Sequence, residues 1–309
     1  MKLLVINNLA SGFGEGAIYD FIRAFSLDGD EVCIRNTDGT TQIASLLKDA
    51  HEFDAVVASG GDGTVSTICS QLSHTNIPIL PFPAGTANLL TLNLNQPHEP
   101  HTLADLVREG QTLDFDLGII EVDGFRHGFG IMAGAGYDAT IMHDAAPNKR
   151  LMGPMAYLSA AVANALPQKA IFKLTLDGET IEREGVGVLI VNFSKIQFDI
   201  ALTHTNEPCD GYFDVMILKA QNAFGLIPAV IAGFLDRGGD FPDRGDALEI
   251  LRAKVVRVES DPPLEIQYDG EPTRLTTPFT AYIDHKATRL IVSDEGYELF
   301  SDQEPTDAH

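Results

Sequence analysis

The chain has 309 residues, 44% of them apolar, and a formal net charge of -23. That length allows one large domain or two moderate ones, each with a real core, and the mix of residues is that of a globular chain rather than a disordered one. So negative a chain should not bind nucleic acid through a general basic field, and anionic membrane surfaces should repel it unless a local basic patch overrides the charge.

No apolar run reaches the roughly 18–20 residues of a membrane span; the strongest, Gly225 to Leu235, is short and contains Pro228. Met1 to Ile6 is apolar but lacks a cleavage site and runs into Asn7-Asn8. It reads as a buried first strand rather than a signal peptide. Cys33, Cys69 and Cys209 are scattered and odd in number. They offer no disulfide framework and no zinc spacing, and they suit a reducing cytosol, so the expected location is cytoplasmic.

The first hundred residues alternate strand-like runs with helix-like patterns. Leu3–Ile6 precedes an apolar stripe at Ala17, Ile18, Phe21, Ile22 and Phe25. Glu31–Arg35 precedes Ile43, Leu46 and Leu47; Ala55–Ala58 precedes Val65, Ile68, Cys69 and Leu72; Ile77–Leu80 precedes Leu89, Leu90 and Leu92. Four β-then-α units predict a doubly wound parallel sheet, with ligands beyond the carboxyl ends of its strands. His98 and His101, flanking Pro100, read as an exposed loop.

After about Leu113 the pattern changes to strand after strand: Phe115–Val122, His127–Ala133, Ile171–Leu176, Val186–Asn192, Phe213–Lys219, Val255–Glu259, Leu264–Tyr268, Phe279–Asp284 and Arg289–Val292. That succession predicts a mostly antiparallel β-sandwich. Helical insertions are expected at Met155–Leu166 and Phe224–Leu235, whose apolar faces suit either core or a lipid-chain channel. Lys149-Arg150 is the best basic pair for a headgroup, and Ser301–His309 reads as a frayed acidic tail. The expected domains are 1–114 with a returning segment 287–309, and 115–286.

Three loops carry chemistry. Asp54–Ser59 runs into Gly60-Gly61-Asp62-Gly63-Thr64 and then a helix. Glycines let backbone approach a phosphate, the helix N-terminus favours an anion, and Thr64 can cap that helix. Alone, the segment reads equally well as a tight Asp-Gly turn. Pro83-Ala84-Gly85-Thr86-Ala87-Asn88 follows the next strand, and Asn8-Leu9-Ala10-Ser11-Gly12 follows the first. Together they would line one crevice with hydroxyls, amides and N–H groups.

The set resembles the diacylglycerol kinase catalytic-domain family, lipid kinases that include sphingosine, ceramide and bacterial lipid kinases. The family's N-P-x-S-G, G-G-D-G-T and P-x-G-T-x-N segments match those three loops in order and spacing. Ala133 to Ala139, Asp210-Gly211-Tyr212-Phe213-Asp214-Val215 and Tyr268-Asp269-Gly270-Glu271 are similar to its later segments. The resemblance implies an ATP-dependent lipid kinase using Mg²⁺. The nucleotide would be held by Asn8, Ser11, Gly12, Gly60, Gly61, Gly63, Thr64, Gly85, Thr86 and Asn88, with Asp62 beside the phosphates and their metal. Glu271 would be the general base that takes the acceptor hydroxyl's proton. Asp210, with carbonyls at Glu207 and Tyr212, would hold a structural Mg²⁺. Without the resemblance, Glu271 reads as an exposed hairpin acid and Asp210 as an Asp-Gly turn.

Leu9 replaces the usual proline, no Lys or Arg follows Ser11-Gly12, and Leu89-Leu90-Thr91 replaces an Asp and a later Arg after Asn88. These departures weaken diacylglycerol as the substrate more than they weaken lipid kinase. The implied partner is a lipid, with transient membrane-surface contact and a homodimer both left open. The rival readings are an NAD kinase-like enzyme, because G-G-D-G-T is shared with NAD kinases, and a non-catalytic nucleotide- or lipid-binding module.

Overall fold

In the computed structural model, residues 1–12, 16–27, 29–136, 168–193, 208–219 and 248–301 are described. The expected insertions at 155–166 and 224–235, the pair Lys149-Arg150, residues 137–139 of the Ala133 segment, Glu207 and the tail beyond 301 lie outside them.

The chain begins with β1 (Lys2–Asn8), α1 (Ala17–Phe25), β2 (Glu31–Thr37), α2 (Ile43–Leu46), β3 (Ala55–Gly60), α3 (Asp62–Gln71), β4 (Pro78–Pro83), α4 (Leu89–Asn93) and α5 (Pro100–Glu109). Strands then dominate: β5 (Thr112–Val122), β6 (Phe125–Phe129), β7 (Met132–Gly136), β8 (Ala170–Leu176), β9 (Glu179–Val191), β10 (Phe213–Lys219), β11 (Leu248–Ala253), β12 (Val255–Asp261), β13 (Glu265–Tyr268), β14 (Glu271–Thr276) and β15 (Phe279–Ile291). The described chain closes on α6 (Asp294–Phe300). Two compact units result. Among the described residues the first takes in 1–117, 208–211 and 284–301, and the second takes in the rest.

In the first unit the order is β2-β1-β3-β4-β15, and all of these neighbours run parallel. Leu3, Val5, Ala55, Val57, Leu80 and Phe82 pack into one core with Ile18, Phe21 and Phe25 of α1 and Leu103, Leu106 and Val107 of α5. Leu4, Ile6, Val56 and Ala58 are also fully buried. Both faces are therefore covered, which is why these strands read as continuous apolar runs rather than alternating ones. The chain steps from β1 to β2 on one side and then crosses to β3 on the other. The point between β1 and β3 is thus the topological switch point, where such sheets open a crevice at their carboxyl ends.

The second unit is antiparallel. β14-β13-β7-β9-β8-β12-β15 pair in that order, β10 joins β9, and β11 joins β10. Phe129, Phe172, Phe213 and Phe279 sit in its core with Val188, Ile190, Val256 and Val258. Asp123-Gly124, Asp177-Gly178 and Asp269-Gly270 close three hairpins, each with both residues at positive φ. That backbone matches the right-handed twist of the flanking strands and selects Asp-Gly.

Several elements differ from the sequence reading. Pro100 starts α5, so His101 lies in a helix's first turn and not in a loop. Proline suits that position because its missing N–H would have no intrahelical acceptor there. The run His127–Ala133 is two strands, β6 and β7, parted at Gly130-Ile131. Phe279–Asp284 and Arg289–Val292 join in one strand, β15, which carries Lys286 at φ 50°.

Candidate functional site

The loops after β1, β3 and β4 leave neighbouring parallel strands at the same edge, and they pack on each other backbone to backbone. A Cβ on Gly85 would meet the Gly61 Cα at 2.4 Å, and one on Gly12 would meet the Ala84 carbonyl oxygen at 2.4 Å. Gly12 is also at φ +60. No side chain fits between these segments, so the glycines are required by contact as well as by conformation.

Polar side chains tie the loops together. The Asn8 amide donates to Thr64 Oγ1 at 2.9 Å, and its own oxygen accepts from Ala10 N–H. Ser11 Oγ accepts from Gly61 N–H at 3.1 Å. The Asn88 carboxamide closes its own turn, accepting from Gly85 N–H at 2.7 Å and donating to Gly85 C=O at 3.0 Å. Asn88 sits at φ 50, in the left-handed region that Asn tolerates. Thr86 is exposed on this loop. Asp62 Oδ1 accepts from Leu90 N–H at 3.0 Å, which links the second loop to the start of α4. A cleft of about 200 Å³ opens here, lined by Asn8, Ser11, Gly12, Tyr19, Gly85 and Asn88 among others.

One expectation is corrected. Thr64 does not cap α3: the N-cap is Gly61, with no side-chain cap, and Thr64 lies in the first turn with its hydroxyl turned to Asn8. Glycine at that position leaves the leading N–H groups unblocked by a side chain. Beneath the loops lies a network that the sequence reading did not single out. Buried Asn7 accepts from Ser59 Oγ at 3.0 Å and donates to Asn36 Oδ1 at 2.9 Å. It fixes the ends of β1, β2 and β3 relative to one another.

In the second unit Glu271 is the first residue of β14 and is exposed, and its carboxylate makes no hydrogen bond or ion pair to any other described residue. Its turn is held rigidly. Asp269 accepts from the N–H groups of Gly130, Ile131 and Met132 at 2.9, 2.9 and 3.1 Å, and its own N–H donates to Met132 C=O. Gly270 N–H donates to Gln267. These bonds draw the backbone at Gly130-Ile131 out of a continuous strand, which explains the break between β6 and β7.

Asp210 is buried, on a segment pinned from beside it by Asp116. Asp116, 1% exposed, accepts from Gly211 N–H at 2.7 Å, Lys286 N–H at 2.6 Å and His285 Nδ1 at 2.9 Å, and its N–H donates to Pro208 C=O. Burial pushes the neighbouring Cys209 thiol well above its usual range, and the charges of Asp116 and Asp210 push it further. Tyr212 lies under Lys254 Nζ, 4.5 Å from the ring centroid. Among the described residues no group of three or more His, Cys, Asp or Glu side chains could cage a metal.

Two family models match the chain. Residues 2–120 match the diacylglycerol kinase catalytic domain, and residues 131–292 match the YegS C-terminal NAD kinase beta sandwich-like domain. A diacylglycerol kinase of Mycobacterium tuberculosis is 29% identical over 224 residues, covering 71% of this chain and 70% of that one. An uncharacterised protein of Synechocystis is 27% identical over 76% of this chain, which spans only 55% of that relative's length. The crystal structure of a diacylglycerol kinase from Bacillus anthracis superposes with a TM-score of 0.71 at 21% identity, over 95% of this chain and 97% of the other. At that identity the likeness establishes the fold.

Proposed function

This chain belongs to the kinases that join a diacylglycerol kinase catalytic domain to a YegS-type C-terminal domain, and we propose that it transfers the γ-phosphate of ATP to a hydroxyl of a lipid acceptor. The carrying observation is the meeting of three glycine-bearing loops at the switch point of the parallel sheet, with α3 starting from one of them. Phosphoryl transfer asks chiefly for positioning and charge neutralisation. The loops answer the first need. Backbone at Gly12, Gly60, Gly61, Gly63 and Gly85 can approach phosphate oxygens, and Asn8, Ser11, Thr64 and Asn88 hold the loops in register.

Mg²⁺ would supply charge neutralisation at the phosphates, with Asp62 as its carboxylate ligand, and the buried Asp210 would hold a second, structural Mg²⁺. Asp62 suits its role because its link to Leu90 N–H fixes its direction. Glu271 takes the proton of the acceptor hydroxyl as that oxygen bonds to phosphorus and ADP leaves. Its exposure lets an acceptor reach it, and the triple anchoring of Asp269 keeps its turn from drifting.

The test is phosphate transfer by the purified full chain from radiolabelled ATP, with Mg²⁺, to a panel of diacylglycerols, ceramides, sphingoid bases and glycerophospholipids, with NAD in a separate arm. Label on a lipid supports the reading. Label on NAD alone, or ATP binding without transfer to any acceptor, contradicts it. Among the described residues no helix is long and apolar enough to cross a membrane.

A further inference from the structure

The hairpin that carries Glu271 has chemistry that the base role leaves unused. Tyr268 lies directly opposite Glu271 across the Asp269-Gly270 turn. Residues so paired point to the same side of the sheet, with Cβ atoms about 4.5–5.5 Å apart. The phenol is therefore beside the carboxylate. Burial, and then the charges of Glu271 and Asp269, push the phenol's pKa up, so it remains an O–H donor.

The ring is held from its other side. His127 lies 4.4 Å from it between centroids and Phe125 lies 6.3 Å away, while Phe125 and His127 stack on each other at 5.9 Å and 9°. Phe125 and His127 are alternate residues of β6, so they share a face. Among the described strands β6 pairs only with β5, so this is a sheet edge. Burial lowers the His127 pKa and favours its neutral form. Phe125 is nevertheless 38% exposed. No described residue hydrogen-bonds the Tyr268 hydroxyl or the His127 ring nitrogens. Beside the exposed carboxylate there is thus an uncharged aromatic wall with one oriented donor at its end.

A lone carboxylate on a turn can accept a proton but cannot by itself fix where the acceptor's oxygen lies. We propose that Tyr268 binds the acceptor, its phenol donating a hydrogen bond to an oxygen of the hydroxyl-bearing end of the lipid, while the Phe125 and His127 rings hold the phenol in place and pack against the adjoining carbon chain. This rests on the base role of Glu271. An acceptor lying on this wall has a polar end at Tyr268 and Glu271 and an apolar body along β6, which is the arrangement of a lipid alcohol.

The experiment is steady-state kinetics of the full chain with dioctanoylglycerol in mixed micelles, varying acceptor and ATP separately, for wild type, Tyr268→Phe, Phe125→Ala and Glu271→Gln. Tyr268→Phe keeps the stack and removes one oxygen. It should raise the acceptor KM about tenfold, the worth of one hydrogen bond, with the ATP KM and the melting temperature unchanged. Phe125→Ala should raise the acceptor KM severalfold, again without touching the ATP KM. Unchanged acceptor kinetics in Tyr268→Phe, or an equal rise in both KM values, overturns the proposal even if Glu271→Gln is inactive. A raised acceptor KM in Tyr268→Phe beside full turnover in Glu271→Gln removes the base role and leaves Tyr268 as the acceptor contact. No turnover of dioctanoylglycerol by wild type overturns the proposal for this class of acceptor.

Discussion

Gly85→Ala separates a phosphate cradle from an ordinary set of turns. The added Cβ would lie 2.4 Å from the Gly61 Cα, 2.9 Å from Asn88 Oδ1 and 3.2 Å from the Gly61 nitrogen, where ordinary contact begins near 3.4 Å. The nearest atom is backbone, so no side chain can swing away. The second and third loops must part by about 1 Å, and the Asn88 contacts that close the third loop are strained as well. Overpacking of this kind costs about 1–3 kcal/mol of stability. A misplacement of about 1 Å can lower turnover about 100-fold. Calorimetric titration with ATP and Mg²⁺ should show at least tenfold weaker binding, about 1.4 kcal/mol. Gly110→Ala is the control. It is strained at φ +71 in the C-cap of α5 but meets nothing within 4 Å, so it should lose stability of order 1 kcal/mol and bind ATP normally. Wild-type ATP affinity in Gly85→Ala, or an equal loss in Gly110→Ala, would refute the reasoning.

Asp62→Asn keeps an oxygen for the Leu90 N–H but loses the charge; melting should be unchanged while phosphate transfer falls by at least 100-fold in a radiolabel assay. Asp269→Ala strands three N–H groups and should cost about 3 kcal/mol, read as a lower midpoint in urea. Glu249 is held below its usual carboxylate range, first by its hydrogen bond to Arg183 and also by Lys219. With the folded pKa lowered, the contribution is present above the unfolded value and lost as pH falls through the folded one. Glu249→Gln should therefore destabilise by about 1 kcal/mol at pH 7 and by less at pH 3, measured by thermal melting.

The parallel unit was legible because its strands are buried on both faces. Apolar runs such as Leu3–Ile6 and Ala55–Ala58, each ending in a Gly-bearing loop, follow directly from that. Adjacency of the three loops followed from the doubly wound pattern. Asp116 was missed because it sits inside the apolar run Phe115–Val122, yet an acid in such a run is itself a signal of a buried anchor. The Asn7–Ser59–Asn36 network was missed because polar residues at strand ends look like loop residues until the register aligns them. Strands β11 and β14 are short and mix polar with apolar residues, so periodicity does not mark them. The Asp-Gly pairs at 123, 177 and 269 do mark three hairpins, and only the last was read, through the D-G-E resemblance. Tyr268 carries no sequence signal of its own, since its meaning comes from the register with Glu271 and from the β6 rings.

The central claim is that ATP is held by the loops of the first unit while a carboxylate on a separate hairpin activates a lipid hydroxyl. Measuring ATP affinity and acceptor-dependent ADP release side by side for wild type and Glu271→Gln tests it most directly. The account predicts equal ATP affinity and release at least 100-fold slower in the variant. Acceptor-dependent release at the wild-type rate in Glu271→Gln would contradict it.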